Sequence, residues 1–426
     1  VTGSVQNQLG NVEVIAIAPN AVLDSFKTHL IDSAPPLSRP TIDQCEAIDV
    51  MAADDFRIIS SAADVDAQIF VPPDYFMCDD CRRELHDPAN RRYDYPFINC
   101  TQCGPRYTLI EALPYDRPNT SMAGFPLCPE CAAEYRDPAD RRFHAEPVAC
   151  ATCGPQLTFE VSGDKDIRDT TAALDAAVRA IADGQIVAVK GIGGFHLVCN
   201  ALDTAAVDLL RQRKHRPDKP LAVMFPVAGA DGLDVARGYV TFAAAEAELT
   251  AGPIRPIMLA AKRPDCELAD NVAPGLREIG VFLPYSPLHQ LLLQRFGGPV
   301  VATSGNISGE PVLTLNAEAS SRLANIADGF LQHDRPIVRP ADDPVFRNIA
   351  GQPRPIRIGR GCAPLEMTLP WDQDQPLLAV GGHMKGTIAL AWANRVVVSP
   401  HIGEMDSPRS LDVFEQLVDD LQTLYG

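Results

Sequence analysis

The chain has 426 residues, of which 37 are basic and 55 are acidic, and its net charge is −18. This acidic excess opposes nucleic-acid binding through the overall field, so a nucleotide or RNA site would have to be a local basic patch. No apolar run reaches the roughly 18 residues of a membrane span, and the first residues lack a signal-peptide pattern. We expect a cytoplasmic protein without a membrane anchor and with about two to four domains. The first residue, Val1, and the helical run that stops at Gly426 indicate a fragment of a longer protein.

The first 47 residues predict a small unit of strands and one helix. Alternating apolar residues give two strands joined by a turn at 8–11, and an amphipathic helix follows over 20–32. A proline-rich exit leads to an edge strand, and residues 48–77 form a bridge with little chemistry. One face of the helix carries Leu23, Phe26, Leu30 and Ile31.

Eight cysteines lie between positions 78 and 153 in four C-x-x-C pairs, and the second half of this stretch repeats the first at a period of 50 residues. Four thiolates can hold one zinc ion in a tetrahedron at about 2.3 Å. A stretch rich in Asp, Arg and Pro and poor in aliphatic residues would gain stability from such binding, roughly 10–16 kcal/mol per site. The sequence therefore predicts two structural zinc sites. The expected ligands are Cys78, Cys81, Cys100, Cys103, Cys128, Cys131, Cys150 and Cys153.

The grouping of these cysteines has alternatives. Because each repeat holds four thiols, we group the first two C-x-x-C pairs together and the last two together, while crossed grouping between repeats stays open. Four disulfides in a secreted domain are another interpretation, but paired thiols with zinc spacing favour a reducing compartment. The other cysteines are scattered and are expected to be core residues or bystanders: Cys45, Cys199, Cys266 and Cys362.

From residue 171 onward, apolar strands alternate with amphipathic helices, which predicts an α/β sheet with ligand chemistry at the strand ends. Lys190 ends one strand before a glycine-rich turn whose backbone N–H groups can face a phosphate. The run 211–219 carries five Lys or Arg residues, and its other interpretation is a solvated helix end. The segment 303–309 offers hydroxyls and an amide after another strand. Together these features predict a polyanion pocket.

The motifs KGIGGFHLVCNA, LRQRKHRPDKPLAVM, RPIMLAAK, GVFLPYSPLH and TSGNISGEP, in this order, resemble the YrdC-like domain, which binds ATP and forms carbamoyl-adenylates. The strand GSVQN resembles part of an acylphosphatase domain, and LLAVGGHMKGTIAL with SPHIGEMDSP resembles the opening of a sugar-kinase-like transferase domain. With the double cysteine repeat, this series resembles the HypF family of hydrogenase-maturation carbamoyltransferases along essentially the whole chain.

The resemblance implies a multidomain α/β (α+β) protein with a double four-cysteine zinc-finger module and a twisted open α/β sheet. The implied domains are the C-terminal part of an acylphosphatase-like domain at 1–47, the zinc fingers at 70–157, the YrdC-like domain at 170–366 and the start of the transferase domain at 376–426.

In this family, carbamoyl phosphate is hydrolysed to carbamate, ATP converts carbamate to carbamoyl-AMP, and the carbamoyl group passes to the C-terminal cysteine of the acceptor protein HypE. The resemblance implies ATP with Mg²⁺ as co-substrate, two structural Zn²⁺ ions and weak double-stranded RNA binding by the YrdC-like domain. It implies catalytic roles for Asn7, Lys190 and Arg216. It implies nucleotide contacts from Lys190, Lys214, Arg216, Lys219, Ser304 and Asn306.

Several positions depart from the family pattern. Asn200 stands where Asp is usual, Cys362 replaces an aromatic residue, and 339–344 replaces a more regular R-x-D-D-S segment. The family's metal-binding histidines are not matched by His383 or His401, which we interpret as structural residues.

Other interpretations remain for one residue and for the function. Asn7 also fits an ordinary strand-end residue, because the phosphate-cradling acylphosphatase loop is absent from the chain. One alternative function is threonylcarbamoyl-AMP synthesis for tRNA modification, against which the zinc units argue. The other is a non-catalytic zinc scaffold that binds RNA or protein, and the acidic total makes its RNA binding weak at physiological salt.

Overall fold

The protein is described here from a computed structural model. The residues it describes are 1–8, 11–34, 40–49, 53–59, 71–161, 166–307 and 309–425. They fall into two units, Val1–Val71 with Gln422–Gly426, and Pro72–Leu421. Among these residues, every helix is too short or too polar to cross a membrane.

The first unit is a three-stranded sheet with one helix. Its elements are β1 (Thr2–Asn7), β2 (Val12–Ile17), α1 (Asn20–Asp32) and β3 (Phe56–Ile59). The predicted hairpin is present as an antiparallel pair, and β3 adds to β1 in parallel at the sheet edge. The turn residues Leu9 and Gly10 lie outside the described residues. No side chain of α1 is buried, and Leu30 and Ile31 are exposed, so the predicted apolar face is only partly covered.

The two cysteine repeats fold alike. We call residues 78–153 the cysteine module. It contains α2 (Asp79–His86), two 3₁₀ turns (Arg117–Asn119 and Ser121–Gly124) and α3 (Pro129–Arg136). The two α-helices occupy equivalent positions in the repeats, each beginning directly after the first cysteine of its repeat.

A large sheet follows the cysteine module. Its strands are β4 (Leu157–Val161), β5 (Val187–Lys190), β6 (Phe195–Asn200), β7 (Ala222–Met224), β8 (Val240–Thr241), β9 (Ile257–Lys262), β10 (Glu278–Phe282), β11 (Val300–Ser304), β12 (Gly329–His333), β13 (Val345–Ile349) and β14 (Gln352–Arg357). Its helices are α4 (Thr170–Ala182), α5 (Thr204–Arg213), α6 (Asp234–Arg237), α7 (Ala244–Ala251), the 3₁₀ turn Asp270–Val272, α8 (Pro287–Phe296) and α9 (Asn316–Arg322).

The sheet is mixed rather than uniformly parallel. Its strand order is β14-β13-β9-β10-β7-β11-β6-β5-β12-β4, with β8 beside β9. Only β10 with β7, β12 with β5, and β13 with β9 are parallel among the described pairings of this sheet. Tight turns explain two of the antiparallel pairs, β5 with β6 and β13 with β14, because a tight turn returns the chain beside itself. The predicted α/β class is confirmed, with this mixed strand direction as its particular form.

Both faces of the sheet are covered. On β5, Val187 and Val189 pack in a cluster with residues of α4 and α8, whereas Ala188 belongs to a second cluster with residues of α5. Phe97 and Met122 of the cysteine module join the first cluster. The cysteine module therefore shares a hydrophobic core with the sheet and does not depend on metal binding alone for its burial.

The last described elements are a long hairpin and a helix. They are β15 (Leu365–Ala379), β16 (Ala389–Val398) and α10 (Pro408–Tyr425). Register shifts interrupt the pairing of β15 with β16 after Thr368 and after Gln373. Strand β15 also runs through residues 366–376, so the segment between the two predicted domains is part of a strand.

Candidate functional site

The eight cysteines of the module form two clusters of four sulfur atoms. Adjacent Sγ atoms are 3.6–3.7 Å apart in one cluster and 3.6–3.8 Å apart in the other. Disulfide sulfurs would lie about 2.05 Å apart, whereas thiolates at about 2.3 Å from one tetrahedral ion lie about 3.8 Å from each other. The clusters are therefore compatible with zinc. One consists of Cys78, Cys81, Cys100 and Cys103, and the other of Cys128, Cys131, Cys150 and Cys153.

Each cluster draws all its sulfurs from one repeat, as the self-contained grouping predicts. In the first repeat, Cys78 caps α2 in an extended conformation and Cys81 follows one turn later. In the second, Cys128 and Cys131 take the same positions on α3. Residues three apart lie on one helix face, so both thiols of each pair point to the same side of a helix start.

The repeats also contact each other's clusters, which we did not predict. The segments D-P-A-N-R-R at 87–92 and D-P-A-D-R-R at 137–142 each end in an arginine pair that reaches sulfur in the other repeat. The signal was present in the sequence as a repeated arginine pair outside the cysteine motifs.

The second candidate site lies at the end of β11. The buried Lys214 ammonium donates three hydrogen bonds, to Ser304 O at 2.7 Å, to Asn306 O at 2.8 Å and to Asn306 Oδ1 at 2.7 Å. Ser304 Oγ also donates to Asn306 Oδ1 at 2.9 Å. Burial, followed by the positive charge of Arg216, lowers the pKa of Lys214 to about 7. Three residues predicted to bind nucleotide are thus brought together; Ser308 of the same segment lies outside the described residues.

The other predicted cations of this loop are more open to solvent. Arg216 is half-buried and donates to Pro220 O at 2.7 Å, and burial lowers its pKa to about 10. Lys219 is exposed, and its ammonium lies 3.4 Å from a carboxylate oxygen of Glu404. Lys214, Arg216 and Lys219 therefore lie on one loop, with different degrees of solvent exposure.

Two residues shape this loop and were not assigned a role from the sequence. Arg211 donates at 2.7–3.1 Å to the carbonyl oxygens of Arg216, Pro217 and Lys219, so its guanidinium organises the backbone that carries the other cations. His215 adopts a φ of 50°, a left-handed conformation that turns the chain between Lys214 and Arg216. The sequence does not show which arginine of a basic run becomes buried, so the role of Arg211 could not be predicted from it.

Lys190 has different neighbours from Lys214. Its ammonium donates to Asn316 Oδ1 at 2.7 Å and to the carbonyl oxygens of His333 and Arg335 at 3.1 Å. Burial, followed by the charge of Arg335, lowers the pKa of Lys190 to about 7. In the adjacent turn, Gly191 N donates to Gly194 O at 2.8 Å, so this N–H group is used within the turn.

A buried polar network lies beside the Lys214 site. His196 is the cross-strand partner of Ser304; its Nε2 is 2.8 Å from Asp343 Oδ2, and its Nδ1 is 3.1 Å from the hydroxyl of Tyr285. Arg360 Nε donates to Asp343 Oδ1 at 3.1 Å. Although burial raises the pKa of Asp343, His196 and Arg360 hold it below its usual value. The sequence F-H-L-V-C-N did not indicate that His196 joins a buried polar network, because this histidine stands in an apolar strand.

The remaining predicted residues lie elsewhere. Asn7 is the last residue of β1, and its side chain is outside the described part of the chain. His383 Nε2 lies 2.6 Å from Asp406 Oδ1, and His401 is partly buried near Asp342. Within the described residues, the two clusters of sulfur atoms are the groups arranged to hold a metal.

Comparison with known families assigns most of these regions. Residues 77–110 and 127–160 match the family model described as "HypF finger". Residues 179–359 match the model Sua5_yciO_yrdC, described as "Telomere recombination", and residues 372–426 match the one described as "HypF Kae1-like domain".

Whole-chain comparisons agree with these assignments. A curated relative from Synechocystis sp., named "Carbamoyltransferase HypF", is 47% identical over 427 residues, which cover 100% of this chain and 55% of the relative. A solved structure, "full-length HypF in the phosphate- and nucleotide-bound form", is 40% identical with a TM-score of 0.92, covering 100% of this chain and 55% of that one. A threonylcarbamoyl-AMP synthase from Xanthomonas campestris is 32% identical over 170 residues, or 38% of this chain and 86% of the relative. The chain spans about half the length of the first two relatives, and it belongs to the HypF family of carbamoyltransferases.

Proposed function

We propose that this chain is the zinc-binding and adenylate-forming part of a carbamoyltransferase of NiFe-hydrogenase maturation. It would use ATP and carbamate, derived from carbamoyl phosphate, to form carbamoyl-AMP. The carbamoyl group would then pass to the C-terminal cysteine of a HypE-type acceptor protein, as a precursor of the cyanide ligand. The observation that carries the proposal is the convergence of Lys214, Ser304 and Asn306 at the end of β11. The similar full-length HypF structure holds a nucleotide, which is consistent with the proposal.

The proposed reaction is an adenylation. A carboxylate oxygen of carbamate attacks the α-phosphorus of ATP, the bond from that phosphorus to the bridging oxygen breaks, and pyrophosphate leaves with the electron pair. Negative charge grows on the leaving pyrophosphate, so nearby cations lower the barrier. We assign this role to Lys214, Arg216 and Lys219, with Ser304 and Asn306 as nucleotide contacts. ATP would bring Mg²⁺ as its usual counterion.

Lys190 is retained as a candidate catalytic residue. All three N–H groups of Lys190, like those of Lys214, already donate to protein oxygens, so either lysine would need to exchange one of these bonds for a phosphate. Asn7 is a candidate only for the carbamoyl-phosphate step.

Zinc would be structural in both cysteine clusters. Four thiolates complete a tetrahedral coordination shell and leave no position open for substrate. Bound zinc would supply folding energy to the two repeats, and Cys78, Cys81, Cys100, Cys103 with Cys128, Cys131, Cys150 and Cys153 would hold the two ions.

The remaining assignments follow from the family. We propose the domain borders 1–47, 70–157, 170–366 and 376–426, and a cytoplasmic location, where reduced thiols persist. We also propose double-stranded RNA binding by the YrdC-like domain, which is weak because Arg211 and Lys214 of the basic run are buried and unavailable to a phosphate backbone without rearrangement.

ATP–pyrophosphate exchange tests the proposal. The zinc-loaded chain would be assayed with ammonium bicarbonate, which supplies carbamate, and separately with threonine plus bicarbonate. We expect exchange with carbamate alone. Exchange that requires threonine would assign the chain to threonylcarbamoyl-AMP synthesis, the activity named for the Xanthomonas relative. No exchange with either substrate from correctly folded protein would favour the non-catalytic scaffold.

A further inference from the structure

The first repeat contributes two guanidinium groups to the second cluster. Arg91 Nη2 lies 3.2 Å from Cys131 Sγ, and Arg92 Nη2 lies 3.4 Å from the same sulfur. Both arginines also form ion pairs with Glu134, which lies three residues after Cys131 on the same helix. Arg92 Nε donates to the carbonyl oxygen of Ala149, directly before Cys150 in the sequence, at 2.9 Å. One arginine pair therefore contacts a sulfur of one cysteine pair in the other repeat and the backbone directly before the second pair.

The second repeat returns these contacts, except that only one of its two arginines has a described contact with sulfur. Arg141 Nη1 lies 3.2 Å from Cys81 Sγ, and Arg141 and Arg142 both form ion pairs with Glu84. Arg142 Nε donates to the carbonyl oxygen of Asn99, the residue before Cys100, at 3.1 Å. The two halves of the module are thus linked by equivalent contacts in both directions, which we call the crossed arginine contacts.

Local turns hold the arginines in place. In the first repeat, Asp87 Oδ1 accepts from Ala89 N at 3.0 Å and Asn90 Oδ1 accepts from Arg92 N at 2.9 Å. In the second repeat, Asp137 and Asp140 accept the equivalent bonds at 2.9 and 2.8 Å. Such side-chain bonds to backbone N–H groups fix turns. Because each turn begins at the end of α2 or α3, its position depends on the fold of its own repeat.

The electrostatics give these contacts a consequence for metal binding. Four thiolates around Zn²⁺ keep about two negative charges. Two guanidinium groups paired with one glutamate lie beside each cluster, and two of them contact sulfur in the second cluster but one in the first. Groups that hydrogen-bond to metal ligands typically change metal affinity by about 10–100-fold when they are removed. Here those groups come from the other repeat, whose fold is stabilised in part by its own bound zinc.

We propose that the two cysteine clusters bind zinc cooperatively, because each repeat, once folded around its own ion, presents the arginine pair that stabilises the thiolates of the other. The coupling is reciprocal. Zinc in either cluster increases the zinc affinity of the other cluster, and the factor is the same in both directions. The module then loads two ions or none over most of a zinc titration.

A competition titration tests the coupling. Metal-free, reduced full chain would be titrated with zinc against a chromophoric chelator to obtain both stepwise affinities. The double variant C78S/C81S isolates the second cluster, and C128S/C131S isolates the first. We expect each isolated cluster to bind zinc about 10–100-fold more weakly than the same cluster with its neighbour loaded. Equal affinities in the presence and absence of the neighbouring ion would overturn the proposal.

Arginine variants test the contacts without removing a thiol, which matters because cysteine variants can unfold their own repeat. In R141Q/R142Q, we expect loss of affinity at the first cluster, and cadmium NMR would identify that cluster by its own resonance. Loss confined to the second cluster, or no loss, would contradict the proposal. R82Q/R83Q is the matched control: it removes the same charge from α2, but its arginines pair with Asp79 and Asp80 on their own helix. In this control, the zinc affinities of both clusters should stay within about twofold of those of the unmodified chain, since exposed ion pairs contribute little.

Discussion

The cysteine module and the Lys214 loop both bury cations, but they compensate the charge differently. Arg92 is almost fully buried and pairs with a carboxylate and a sulfur. Lys214 is also buried, yet its three hydrogen bonds go to neutral oxygens, and no described carboxylate lies within ion-pair distance. Burial acts to lower the pKa of both groups. For Arg92, the contacts with Glu134 outweigh burial, and its pKa is raised. The pKa of Lys214 is lowered to about 7. Arg92 is neutralised by its carboxylate partner, whereas Lys214 has none and can bind an anionic ligand by exchanging one of its bonds to a neutral oxygen.

The largest expected effect comes from removing a metal ligand in the cysteine module. C78S should reduce the zinc content by at least one ion per chain and unfold the first repeat, because a structural site contributes roughly 10–16 kcal/mol. Elemental analysis and thermal unfolding of anaerobically purified protein measure both. C45S, which alters an exposed cysteine outside both clusters, should keep two ions. One zinc or none in the unmodified chain would contradict the two-site interpretation.

The next largest effect is expected at Lys214, the buried cation without a carboxylate partner. K214M should reduce ATP–pyrophosphate exchange by about 10²–10³-fold, as expected for loss of one group that stabilises developing charge. Its thermal stability should stay close to that of the unmodified chain, because removing a buried charge without a carboxylate partner offsets the loss of three hydrogen bonds. R213Q is the control, because Arg213 stands in the same basic run but pairs with Asp328. Unchanged exchange in K214M would remove this lysine from the site. K190M, assayed beside it, decides whether Lys190 also takes part.

The pH dependence of nucleotide binding gives a smaller effect. Lys214 is protonated below a pKa of about 7 and loses its charge above it. Phosphate oxygens would raise this pKa, so binding takes up a proton, and affinity should fall above pH 7 by at most about tenfold per unit. Calorimetry in buffers of different ionisation enthalpy measures the proton uptake. The dependence should disappear in K214M, and its persistence there would show that another group is responsible.

The last prediction tests compensation in the cysteine module. E134Q leaves Arg91 and Arg92 without their carboxylate and should lower the free energy of unfolding of the zinc-loaded chain by about 1.5–3 kcal/mol, the usual range for hydrogen bonds to charged groups. Denaturant unfolding with zinc in excess measures this. E130Q, an exposed change on the same helix, should have little effect. If the two variants are equally stable, Glu134 does not compensate the buried arginines.

Much of the molecule was readable from the sequence because of repetition and periodicity. The self-contained cysteine repeat favoured the grouping that both clusters show, while crossed grouping stayed open on the sequence alone. Apolar periodicity predicted the α/β class and the hairpin of the first residues. The crossed arginine contacts were not predictable in this way, because C-x-x-C spacing describes only ligands within one repeat. Whether the arginines of 87–92 turn toward their own cluster or the other depends on how the two repeats pack.

The Lys214 site was predicted in part. Strand ends and a basic run indicated where an anion could bind, and Lys214, Ser304 and Asn306 do meet. Sequence could not separate the cations of the run by role, since burial of Arg211 and exposure of Lys219 depend on the loop path. The mixed strand direction also escaped prediction, because alternation of strands and helices does not determine which strands become neighbours.

The crossed arginine contacts have the form of an isologous interface, in which both copies use the same surfaces. The arginine pair of each repeat meets the glutamate of the other. Each repeat carries both the arginine pair and the glutamate that receives one, so a chain with two copies satisfies every partner internally. A single copy would leave two arginines and one glutamate unmatched. We expect such a copy to associate with its twin, so the duplicated module corresponds to a symmetric dimer joined into one polypeptide.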